Sequence, residues 1–121
     1  MKYAMVIHRT EEHRDLPSEA EVDFDVVVRW WADLRARRKV VASAALGPAG
    51  DTTSVSWRDR EPIVTDGPYI EAKEAVGGFV VLEVESLEEA VEIASGWPMK
   101  TGLRIELRPV VEGETRPFIG A

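Results

Sequence analysis

The sequence predicts an α+β fold, on three observations. Short β-rich runs recur from one end of the chain to the other. Two amphipathic segments with helical spacing interrupt them, each opened by a Ser-x-x-Glu capping pattern. Their order is strand, helix, several strands, helix, strand.

Residues 3–7 are a continuous apolar run and read as a strand buried on both faces. In Ser18-Glu19-Ala20-Glu21 the serine hydroxyl can accept from the Glu21 amide while the Glu21 carboxylate reaches back. A helix is expected from there to about residue 39, with Val22, Val26, Val27, Trp30 and Leu34 as its buried stripe. Trp31 falls beside that stripe, about 100° round from Trp30, where it can line an interface or a pocket. Residues 40–46 are β-rich with small side chains, and Gly47-Pro48-Ala49-Gly50 breaks them. A strand over 52–57 turns through Arg58-Asp59-Arg60-Glu61 into a short strand over 62–65. Asp66-Gly67-Pro68 is a strong turn signal, and Gly77-Gly78 precedes a strand over 79–85. Ser86-Leu87-Glu88-Glu89 opens the second helix, with Leu87, Ala90, Val91 and Ala94 on its apolar face. Gly96 and Pro98 stop it. In the last strand Leu103, Ile105 and Leu107 alternate with Arg104, Glu106 and Arg108.

The order β-α-β-β-β-β-α-β is that of a ferredoxin-like plait. Residues 1–112 are expected to form one domain, with 113–121 a C-terminal tail. Strand alternation places Val80, Leu82 and Val84 under the helices and Phe79, Val81 and Glu83 on the open face, with Arg104, Glu106 and Arg108. A monomer would leave the apolar part of that face wet, so a second copy is expected to cover it.

Composition narrows the function. At 121 residues, with 45% hydrophobic and 31% charged residues, the chain can build a core without metal or disulfides. It has no cysteine, which removes thiolate ligands and a cysteine nucleophile. A net charge of −7 opposes phosphate backbones. The densest basic stretch, residues 35–39, falls where a helix end favours cations, so no nucleic-acid partner is expected. The apolar start is too short to cross a membrane or to serve as an export signal, and a cytoplasmic protein is expected. No metal-ligand spacing, phosphate loop or serine elbow is present, so no metal and no cofactor are implied.

The stretch Val64-Thr65-Asp66-Gly67-Pro68-Tyr69-Ile70-Glu71-Ala72-Lys73-Glu74, followed by Gly77-Gly78-Phe79, resembles the signature of the DGPF-type branch of the YCII-related family. Leu87-Glu88-Glu89-Ala90 and Glu106-Leu107-Arg108-Pro109-Val110 are similar to that family too. Tyr69 stands where the branch has phenylalanine, and Ile70 and Ala72 where alanine and threonine are commoner. The resemblance implies a plait that dimerises through its sheets into an α/β barrel. It supplies no reaction. Some members are encoded beside extracytoplasmic-function sigma factors, a regulatory context. Some relatives carry a histidine on or near the first helix, with a His–Asp pair proposed as catalytic. Here the histidines are His8 and His13, both before that helix.

Five residues are candidates for a site. Asp66 can act as a general acid or base in a dry cleft, or can form an Asx-turn with the amides that follow. His8, at a strand end, titrates near neutrality and can meet Asp66, or can be a solvated edge histidine. Lys73 can hold an anionic group with Glu74 positioning it, or the two can be an exposed ion pair. Tyr69 adds a hydroxyl beside them. His13, in a charged loop, reads as solvated. The leading expectation is a dimeric small-molecule-binding or regulatory module. The alternative is a small isomerase- or lyase-like acid–base enzyme using Asp66 in a dimer cleft.

Overall fold

Both neighbours of the first strand, β1 (Lys2–Thr10), pair with it antiparallel, which makes it the organising element of the fold. The computed structural model describes residues 1–10, 23–67, 74–99, 103–111 and 113. After β1 come α1 (Phe24–Ala36), β2 (Val40–Ala45), β3 (Thr53–Arg58) and β4 (Glu61–Asp66). Then follow β5 (Glu74–Glu83), α2 (Leu87–Ser95) and β6 (Leu103–Pro109). The main sheet is antiparallel, in the order β2-β5-β1-β6. β3 and β4 form a two-stranded sheet of their own. The whole is a mixed α+β fold in which β5 separates β1 from β2, and β1 separates β5 from β6.

Alternation along the strands builds the core. Met5 and Ile7 of β1, Val80 and Leu82 of β5 and Val84 just beyond are buried, as the pattern of the sequence requires. Met5 is flanked by Val80 on one side and Leu107 on the other. Leu34 from α1, Ala90 and Ile93 from α2, and Trp97 close the core from the helix side. Burial of each large apolar side chain contributes about 1.5–3 kcal/mol.

The first helix starts later than the capping pattern suggests. Asp23 is its N-cap, and its Oδ1 accepts from the amides of Asp25 (3.1 Å) and Val26 (3.4 Å). Ser18, Glu21 and Val22 lie outside the described residues. Of the remaining expected stripe, Leu34 is buried, Val27 and Trp30 are half-buried, and Val26 is exposed. The helix ends in a Schellman motif: the Lys39 amide donates to the Leu34 carbonyl at 2.9 Å and the Arg38 amide to the Arg35 carbonyl at 3.0 Å. Arg38 itself takes φ 56°, where glycine is the usual residue.

Ser86 caps α2 as expected, accepting from the Glu89 amide at 3.1 Å. The Glu89 carboxylate reaches one residue beyond the cap and accepts from the Glu85 amide at 3.1 Å. Its buried face is rotated from the expected one by about 60° at 100° per residue. Ala90, Ile93 and Trp97 are buried, whereas Leu87 and Val91 are exposed. The rotation follows Trp97, whose ring meets Trp30 edge-on at 4.9 Å and Trp31 at 6.1 Å.

Candidate functional site

The register of the main sheet fixes what its open face carries. One row across it reads Ala42, Val81, Ala4 and Arg108; the next reads Ala44, Phe79, Val6 and Glu106. The third reads Val76, His8 and Arg104. The central rows of β2, β5 and β1 are therefore apolar, with Lys2 and Glu83 paired as a charged row at one end, and β6 lines the edge with Arg104, Glu106 and Arg108. Phe79 and Val76 are exposed, while Val6 and Val81 are half-buried.

His8 stands where the apolar block meets that charged edge. Its Nε2 lies 3.0 Å from Oε1 of Glu106, and an Arg104 nitrogen lies 3.2 Å from the same oxygen. His8 is 18% exposed against 46% for Glu106, so the imidazole is held in place while the carboxylate stays wet on one side. A carboxylate that orients an imidazole beside a cation can bind an anionic group or relay a proton. The sequence placed Glu106 on this face but gave no reason to join it to His8. The pair is diagonal, because β1 pairs Val6 with Glu106 and His8 with Arg104, and that register is a tertiary fact.

Asp66 belongs to the other sheet. It is the last residue of β4, paired with Thr53, and is exposed. The corner after it is fixed by backbone. Gly67 takes φ 99°, its amide donates to the Thr52 carbonyl at 2.7 Å, and its carbonyl accepts from the Ser54 hydroxyl at 2.7 Å. Among the described residues no donor reaches the Asp66 carboxylate. His8 and Asp66 are not joined; the acidic partner of His8 is Glu106. Tyr69 and Lys73 lie outside the described residues, as does His13. Glu74 opens β5 opposite Thr10, at the end of the sheet where His8 lies.

No described helix is long and apolar enough to cross a membrane. Among the described residues, no three His, Asp or Glu side chains gather as metal ligands would.

The model of the YCII-related domain matches residues 1–114. The chain belongs to the YCII-related family. It is similar to an uncharacterised protein of Rhizobium meliloti (strain 1021), with 34% identity over 101 residues, 78% of this chain and 77% of the relative. In this YCII-related chain the Gly-Gly-Phe segment has a structural account. Ile7 pairs with Gly78 and His8 with Val76, so Gly77 is the extra residue of a bulge. A Cβ on Gly78 would stand 2.8 Å from the Ala44 carbonyl oxygen, so β2 approaches too closely for any other residue. Phe79 then opens the apolar row of the sheet. The α1 helix carries no histidine.

Proposed function

We propose that this YCII-related chain is a cytoplasmic homodimer of the DGPF branch that binds a small molecule, as a binding or regulatory module. Each subunit is a ferredoxin-like plait, and two of them cover each other's open sheet faces in an α/β barrel. The observation that carries this reading is the open face itself. An apolar block built on Phe79, Val81, Val6 and Val76 meets a polar edge in which Glu106 holds both His8 and Arg104. Apolar surface of that extent gains by burial, while His8 and the arginines supply groups that recognise a small anionic molecule. No nucleic acid and no membrane take part.

Native mass spectrometry of freshly purified protein tests the binding role. The parent is expected to retain a small molecule, and His8→Ala to lose it while remaining dimeric. A parent that carries nothing, even after exposure to a metabolite extract, would contradict the binding reading.

A second reading, an isomerase- or lyase-like enzyme, rests on Asp66. Its carboxylate meets no donor among the described residues, and Gly67 at φ 99° fixes the corner from which it extends. Tyr69, Lys73 and Glu74 follow that corner in the sequence and would bind the substrate.

A further inference from the structure

The β3–β4 hairpin carries three exposed large apolar side chains on two short strands. Register places Thr53, Val55 and Trp57 of β3 on one face with Asp66, Val64 and Pro62 of β4. Trp57 is 69% exposed, Val64 65% and Val55 50%. The opposite face carries the half-buried Ser54, Ser56 and Ile63. The apolar side of this hairpin is therefore its more exposed side and the hydroxyl-bearing side its less exposed one, the reverse of what a folded monomer favours. A lone two-stranded hairpin is also marginally stable in water.

We infer that the hairpin is an arm that closes on a second copy of this chain, with Trp57, Val64 and Val55 as its contact surface. The inference rests on the dimeric reading above and extends it. Area argues for this occupant. Four strands about 4.8 Å apart and about seven residues long give the open face a flat area of roughly 450 Å². A stable dimer buries about 800 Å² on each partner. The hairpin face, two strands wide and six residues long, adds roughly 200 Å² before side-chain relief is counted. Together they come to roughly 650 Å² on each partner, just inside the lower end of a standard interface at about 600 Å². The arm also starts from the right end of the sheet: it leaves at Ala45 and the chain returns at Glu74, beside Val76 and His8. Asp66 lies on the arm's apolar face. The arm thus sets the Asp66 carboxylate against the partner, and the site is incomplete in a single copy.

Two measurements on the full chain test the arm. Amide hydrogen exchange of the unaltered protein, above and below its dimer dissociation constant, should show strands Thr53–Arg58 and Glu61–Asp66 gaining protection as the dimer forms. Sedimentation of Trp57→Ser with Val64→Ser should show a dissociation constant weakened by about tenfold or more, because an exposed tryptophan is a frequent interface anchor. Circular dichroism of the variant should match the parent. A dimeric parent whose hairpin protection does not change with concentration overturns the arm and leaves the dimer reading intact. So does a variant that dimerises as tightly as the parent, and either result assigns the hairpin to another partner. A parent that is monomeric throughout overturns both.

Discussion

Lys39 Nζ stands 2.9 Å from Oε1 of Glu89 and ties the start of β2 to the first turn of α2. The hydrogen bond from Lys39 is the main reason that the Glu89 carboxyl lies below its ordinary value of 4.5, with the Glu85 amide second. Partial burial opposes both. A carboxyl lowered on folding stabilises the native state above its ordinary range, and that stability is lost as pH falls through the folded value. Glu89→Gln is therefore expected to melt lower than the parent at neutral pH, with the gap narrowing under acid conditions. Thermal unfolding across the acid range checks this; parallel curves for the two proteins would show that the pair does not act through charge.

Trp97 is 6% exposed, and its indole nitrogen has no hydrogen-bond partner among the described residues. Trp97→Ala should cost about 3–5 kcal/mol, because it removes the buried member of the tryptophan cluster. Trp97→Phe also loses volume, but it removes a buried unpaired donor whose cost is about 1–3 kcal/mol. The phenylalanine variant is expected within about 1 kcal/mol of the parent, read by denaturant unfolding. Equal losses for both variants would mean the indole N–H is satisfied in solution.

Arg38 and Arg60 hold φ at 56° and 70°, left-handed values that L-residues adopt at a cost of about 1–2 kcal/mol. Arg38 closes α1, and Arg60 with Asp59 forms the tight turn between β3 and β4. Arg38→Gly and Arg60→Gly should each stabilise by about 1 kcal/mol, offset in part by the greater freedom of glycine when unfolded. Calorimetry should record higher melting temperatures for both; a fall would show that the arginine side chains have contacts outweighing the strain.

Asp66→Asn should change stability by no more than about 1–2 kcal/mol, because the corner is held through Gly67 rather than the carboxylate. On the acid–base reading it should abolish turnover, since an amide cannot exchange the proton, while an anion held by His8 and Arg104 stays bound. Gly67→Val forces a β-branched residue to φ 99° and should cost about 1–3 kcal/mol. Unfolding, ligand titration and turnover assays of both variants distinguish the roles. Full turnover by Asp66→Asn would reduce Asp66 to a structural turn residue.

Much of the fold was legible because local pattern and tertiary demand agree. Val80, Leu82 and Val84 alternate with Phe79, Val81 and Glu83, and the structure buries the first set and exposes Phe79 and Glu83. Ser86 and Gly96 bound α2 as their chemistry requires. The start of β5 was hidden because Gly77-Gly78 reads as a break, whereas here it makes a bulge inside the strand. The buried face of α2 was misplaced because Trp97, beyond the helix, decides which side packs. In the site, His8 was legible as a histidine at a strand end, but Glu106 was not, since only the β1–β6 register brings the two together. The exposed side of the hairpin was equally hidden, because alternation gives two faces and does not say which one is wet.

Sedimentation equilibrium of the full chain at micromolar concentration tests the central claim most directly. A species of twice the chain mass is expected, reverting to the monomer when Phe79→Glu places a charge in the apolar row of the open face. A parent that sediments at the mass of a single chain would contradict the claim that a second copy covers that face.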